Sequence, residues 1–117
     1  LASAQEALGK SAIAAATRKR AWNHPAASIF ELHAEGRRLL TAGQKEEAMA
    51  VFELNAKRHP NAWPVDVGLM RGYAAMGDAK KALKHARLGL EKAPDDLNKN
   101  NHETFVERLE KGDTAIN

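Results

Sequence analysis

Apolar positions recur along this chain at three-and-four spacing rather than in alternation. Ile29, Leu32, Gly36, Leu39 and Leu40 form the first clear stripe, the signature of one face of an α-helix. Gly43, in Thr41-Ala42-Gly43-Gln44, predicts its left-handed stop. A second stripe, Ala48, Val51, Phe52 and Asn55, ends before Pro60, because a residue preceding proline avoids the α region. Val65, Leu69, Tyr73 and Met76 make a third stripe, broken by Gly77, with Asp78 placed to cap the next helix. Ala82, Leu83, Ala86 and Leu90 make a fourth, closed by Pro94. Residues 3–21 are Ala-rich and free of proline, so they read as one helix or two abutting ones. Gly9 is either tolerated inside that helix or the turn of a truncated earlier hairpin, and Asn23-His24-Pro25 ends the segment. Near the C-terminus, Asn100 with Glu103 three residues later fits a capping box. Phe105, Val106 and Leu109 then predict a helix over 101–111, stopped by Gly112, with Glu103, Glu107 and Glu110 on its outer face.

Composition agrees with this period. The 117 residues include 23 Ala and 12 Leu against 4 Val and 3 Ile, which favours helix over sheet. The chain is one domain's length and buries a core without staples. With no Cys, disulfides and thiolate metal sites are excluded. Net charge is +3, distributed as +3 over 1–30, zero over 31–62, +2 over 63–95 and −2 over 96–117. Both signs are interspersed, as on a solvated helical surface, so nucleic acid is a poor fit as partner. No apolar run is long enough to cross a membrane, so membrane insertion is not expected. The opening Leu1-Ala2-Ser3-Ala4-Gln5 lacks the basic and apolar regions of a secretory leader. It also lacks an initiator Met, as expected of a processed or excised piece.

Sliding the sequence by 34 residues superposes Arg37 on Arg71, Leu39 on Tyr73, Gly43 on Gly77, Ala48 on Ala82 and Pro60 on Pro94. Two units result, 29–62 and 63–96, each a pair of helices A and B. Residues 1–28 are then an N-terminal helix or half repeat, and 97–117 a capping helix and tail.

On these residues the chain resembles the tetratricopeptide repeat (TPR) family. The first unit carries its pattern in Gly36, Gly43, Ala48, Phe52 and Pro60; the second in Leu69, Tyr73, Gly77, Ala82 and Pro94. Met70 departs from it where a small residue is usual, Ala86 where an aromatic is usual, and Leu32 and Asp66 stand in place of the signature Trp. The resemblance covers residues 29–96. It implies an all-α fold of antiparallel helical hairpins, stacked as a short right-handed solenoid with flanking cap helices. It also implies a protein-binding scaffold whose A helices line a concave face. The segment from Leu109 to Asn117, with the repeat before it, is similar to the helical C-terminal tail of some exported bacterial proteins of unknown function. That likeness implies a periplasmic or secreted location, and the chain is otherwise expected in the cytoplasm.

Catalytic chemistry finds little to work with. His24, His33, His59, His85 and His102 include no pair three or four apart, so no helical His pair is spaced to chelate a metal. His102-Glu103 opens a zinc-protease motif, but Val106 stands where its second His belongs. The glycines are scattered and form no phosphate loop, and Glu46-Glu47 and Asp95-Asp96 read as helix N-terminal acids. The chain reads as a non-enzyme with no cofactor and no metal.

A binding strip is the better candidate. His33 and Arg37 are four apart on one helix face, and the 34-residue shift sets Arg71 beside Arg37 on the next A helix. By the family pattern Phe30, His33, Arg37, Leu40 and Thr41 look into the groove from the first unit, and Pro64, Val67, Arg71, Ala74 and Ala75 from the second. His33, Arg37 and Arg71 are expected to grip a carboxylate of a protein or peptide, with Phe30, Leu40 and Val67 giving contact area. The alternative is that the arginines are solvated, or paired internally with Glu35 or Asp66. The family's clamp for acidic tails uses Lys and Asn where this chain has His33 and Arg37, so that specificity is not carried over. Trp63 reads as a hairpin-junction contact and Trp22 as a helix-end contact. The competing function is a structural accessory that packs on a larger domain or on a second copy, and a homo-oligomer is compatible with the pattern.

Overall fold

The computed structural model describes His24 and residues 26–116. The N-terminal helix expected over 3–21, with Gly9, and the helix-end contact expected of Trp22 lie outside the described residues. Among the described residues the chain is all-helical, with no strand: α1 Ile29–Thr41, α2 Lys45–Arg58, α3 Trp63–Ala75, α4 Ala79–Lys92 and α5 Asp96–Glu110. α3 and α4 begin 34 residues after α1 and α2 and have the same lengths, 13 and 14 residues.

The turns explain this regularity. α1 ends with Gly43 at φ 79°, where a Cβ would be strained. Gln44 N–H donates to the Leu39 carbonyl at 2.9 Å and Gly43 N–H to Leu40 at 3.0 Å, a Schellman closure. The same pair recurs one repeat later, from Asp78 to Tyr73 and from Gly77 to Ala74. These three-residue turns fold α1 back on α2 and α3 back on α4. Starts are capped by Ser28 Oγ, which accepts from Glu31 N–H, and by Asp78, which accepts from Lys81 N–H.

Helices adjacent in sequence pack together, and α1 also touches α3, so the A helices of the two hairpins are neighbours. The small residues sit at the contacts. Ala48, Ala82 and Ala86 are fully buried. Phe52, 1% exposed, reaches from α2 between α1 and α3. A Cβ added to Gly36 or Gly68 would overlap its ring, and one added to Gly72 would overlap Met49 Sδ. Three glycines on two helices thus form the slot for one aromatic. Met70, despite its size, is fully buried in the second half of the core.

One boundary differs from the sequence expectation. α5 starts at Asp96, not 101, because Asp95 Oδ1 accepts from Asn98 N–H at 2.8 Å directly after Pro94. Asn100 is therefore inside the helix, where its carbonyl accepts from the Thr104 hydroxyl, and is no cap. The Asn-rich stretch is tolerated because most of its residues face solvent. Glu103, Glu107 and Glu110 are exposed. After α5 the chain returns: Arg108 binds Asp113 and the Ala115 carbonyl, and Ile116 is buried with Val67 and Leu109.

Candidate functional site

α1 and α3 lie side by side, and the residues at their matching positions meet. Arg37, Leu40 and Thr41 of α1 and Arg71 of α3 line one cavity of about 180 Å³. Thr41 Oγ1 donates to the Arg37 carbonyl at 3.1 Å, and Arg37 itself is exposed. Arg37 makes no ion pair with any described residue. Arg71 is half-buried, its guanidinium carbon 5.7 Å from the centre of the Phe105 ring on α5. Burial, then the charge of Arg37, moves the Arg71 guanidinium below its ordinary pKa.

His33 lies one turn before Arg37. Its ring is held against Phe52, with centroids 6.0 Å apart, and its buried Nδ1 has no hydrogen-bond partner among the described residues. Burial first, and then Arg37 and Arg71, push its pKa down to about 4, against an opposing hydrogen bond to the Pro64 carbonyl. At neutral pH the cluster is two guanidinium ions and one neutral imidazole. Glu35 bonds Arg38, and Asp66 bonds His85 and Lys92.

Of the apolar contacts expected, Leu40 lines the cavity. Phe30, 71% exposed, is on the same stripe of α1, about two turns from Arg37, but does not line it. Val67 is a correction. It is 9% exposed and belongs to the core with Leu109 and Ile116, as does Ala74. The C-terminal helix and tail share that core with α3, so neither residue is open to a ligand.

Three features had no counterpart in the sequence reading. Asp66, 4% exposed, accepts from Lys92 Nζ at 2.7 Å and bonds His85 Nδ1 at 3.0 Å, and the His85 ring stacks on Tyr73. Burial pushes the Asp66 carboxyl up, but the bonds from His85 and Lys92 and the Lys92 charge outweigh it and hold it below the usual range. This latch ties α3 to α4. His102, also buried, accepts from Trp63 Nε1 at 2.9 Å, which places its neutral proton on Nδ1; a Cβ on Gly89 would overlap its ring. Trp63 is thus tied to α5, outside the two hairpins, and not only to the hairpin junction expected of it. Phe105 is the third, since it seats Arg71. Its apolar stripe was visible, but its position beneath an arginine 34 residues earlier was not.

A second cavity, of about 520 Å³, lies on the side of α3 away from Arg71, where Met49 and Met76 are flanked by Glu46, Glu53 and Asp78. Among the described residues no three His, Asp or Glu side chains are grouped to hold a metal ion, and no helix is long and apolar enough to cross a membrane. No family model, no curated protein and no solved structure matches the chain.

Proposed function

We propose that the chain is a non-catalytic protein- or peptide-binding module built from two TPR-like hairpins, with α1 and α3 as the A helices of a short solenoid and α5 as its cap. Its ligand lies along those A helices and presents a carboxylate to Arg37 and Arg71. The observation that carries this reading is the cavity shared by Arg37, Leu40, Thr41 and Arg71, contributed by two helices one repeat apart. Guanidinium forks bind planar carboxylates bidentately, so a cavity lined by two arginines suits one. The test is capture from an extract of the native source with the tagged chain, followed by identification of the bound proteins. Arg37→Ala and Arg71→Gln, the latter keeping the stem over Phe105, should each weaken the captured complex by about 1–3 kcal/mol. Added salt should weaken it further. A partner held equally by the double variant would defeat the proposal.

Self-association is the second reading. It rests on the Met49–Met76 cavity and on Met76, a half-exposed apolar side chain at its edge. Light scattering coupled to size exclusion separates the two. A monomer leaves the A-helix face free for a partner, and a dimer broken by Met76→Lys assigns the opposite face to self-packing.

A further inference from the structure

The larger cavity is built in a way that the carboxylate reading does not use. It opens between α2 and the start of α4, beside the end of α3, and holds about 520 Å³. One stripe of α2 forms a wall: Glu46, Met49, Ala50 and Glu53 stand at i, i+3, i+4 and i+7 on a single helix face. Across from them are Tyr73 and Met76, with Asp78 and Lys81 beyond. Met49 is buried, its Sδ in the space that a Cβ at Gly72 would take, whereas Met76 is 49% exposed. Glu46 and Met76 also line an adjoining cavity of about 350 Å³, so the two form one open groove with Met76 at their junction.

The charge of this groove is opposite to that of the chain. One base, Lys81, against three acids, Glu46, Glu53 and Asp78, leaves −2 around the larger cavity of a chain that carries +3. Asp78 is engaged as an N-cap, accepting from Lys81 N–H at 3.1 Å, and the Lys81 ammonium lies 5.5 Å from the centre of the Tyr73 ring. Glu46 and Glu53 are exposed and bond no described residue. The helix dipole accounts for Glu46, in the first turn of α2, but not for Glu53, which lies past the middle of that helix.

We propose that this groove docks a cationic amphipathic helix of a protein partner, one that carries Lys or Arg seven residues apart with a large apolar side chain between them. The proposal is independent of the carboxylate site on the A helices. Glu46 and Glu53 are two turns apart, roughly 10.5 Å at 1.5 Å per residue. A helix laid along α2 with bases at the same spacing brings one to each carboxylate. Its apolar residue, three or four positions along, then meets Met49 and Met76, whose unbranched thioether side chains adapt to the shape they receive. A second copy of this chain is the poorer occupant. In a two-fold contact the same patch meets itself, which sets Glu46 and Glu53 against like charges.

The experiment uses the full chain and an acetylated, amidated helical peptide with lysines seven residues apart and paired leucines between them. Two control peptides carry glutamate for each lysine, or alanine for each leucine. The methionine ε-methyl signals are followed by NMR, with the fully buried Met70, which does not line the groove, as internal reference. Affinity is measured by anisotropy of the labelled peptide at low and high salt. The Met49 and Met76 signals should move and that of Met70 should not, and added salt should weaken binding. Glu46→Gln and Glu53→Gln should each weaken it by about threefold, and together by about tenfold, with folding hardly changed. The glutamate peptide should not bind, and the leucine-free peptide should bind at least about tenfold more weakly. Equal binding of the glutamate peptide, unchanged affinity in the double variant, or binding that leaves Met49 and Met76 in place overturns the proposal. So does equal binding of the leucine-free peptide, which would make the groove an acidic surface only. Absence of binding at millimolar concentration overturns it as well. A Met76 signal that then moves with protein concentration assigns the groove to a second copy, and binding gained in an Arg18→Gln, Lys19→Gln, Arg20→Gln variant assigns it to the chain's own basic run. Arg37→Ala should leave all of these results unchanged, so failure here leaves the carboxylate reading standing.

Discussion

The Phe52 slot makes a prediction whose sign changes with background. Phe52 is 1% exposed, and its ring occupies the space where Cβ atoms at Gly36 and Gly68 would lie. Phe52→Ala removes the ring and leaves a void bounded by three helices, which costs about 3–5 kcal/mol. Domains of this size have about 5–15 kcal/mol in total, so the variant should melt roughly 12–40 °C lower, at about 4–8 °C per kcal/mol. Gly36→Ala in the parent forces a methyl into the ring, and a rigid aromatic between packed helices has nowhere to swing. Overpacking of this kind costs about 1–3 kcal/mol. In the Phe52→Ala background the clash is gone, while Ala remains a better helix former than Gly by about 1 kcal/mol. Gly36→Ala should then stabilise. Urea unfolding followed by circular dichroism at 222 nm on all four proteins gives the cycle, with an expected coupling of about 2–4 kcal/mol between the two sites. A Gly36→Ala change with the same sign and size in both backgrounds would refute the packing argument, because the glycine would then be answering to something other than the ring.

Other consequences are more local. Ala48→Leu should cost about 1–3 kcal/mol by overpacking the α1–α2 contact, read from the unfolding midpoint, and an unchanged midpoint would mean this alanine does not face α1. Asp66→Asn leaves Lys92 and His85 with a weaker acceptor on a buried site, and should cost about 1–3 kcal/mol in the same assay. Acid should destabilise the fold through His33. Its folded pKa, about 4, lies below the unfolded value of 6.5, so its contribution is fully present above pH 6.5 and is lost as the pH falls toward 4. The loss should reach about 2 kcal/mol near pH 5. His33→Gln should flatten the stability profile between pH 6.5 and 4, and an equally steep profile in that variant would assign the acid sensitivity to another group.

The helices were legible because each is signalled twice, by an apolar period and by a stop. Gly43 and Gly77 take up positive φ where the stripes end, and the 34-residue register of helix starts has the same spacing as the glycines. The start of α5 was misread for a reason that is physical as well. Two N-cap signals compete there, Asp95 after a proline and Asn100 before Glu103. The earlier one prevails because Pro94 has already ended α4, so the cap at Asp95 starts a helix that continues through the Asn-rich turn.

The candidate site divides along the same line. A repeat shift relates positions on equivalent helices, so Arg37 and Arg71 were paired by arithmetic, and they share one cavity. It says nothing about an element outside the repeat. α5 and the tail have no counterpart at the first hairpin, and they are what separates the two halves of the strip. They bury Val67 and Ala74 with Leu109 and Ile116 and put the Phe105 ring against Arg71, whereas Arg37 remains open to solvent. Two arginines with the same place in the repeat therefore differ in character: one is braced and partly desolvated, the other exposed and hydrated. A desolvated, preorganised guanidinium gains more from an anion than a hydrated one. Under the proposed function, Arg71 should accordingly fix where the carboxylate sits, and Arg37 should govern how fast it arrives. In binding kinetics Arg71→Gln should act mainly on the dissociation rate, while Arg37→Ala acts mainly on the salt-dependent association rate. Equal effects of both substitutions on both rates would mean that the flanking helix does not distinguish them.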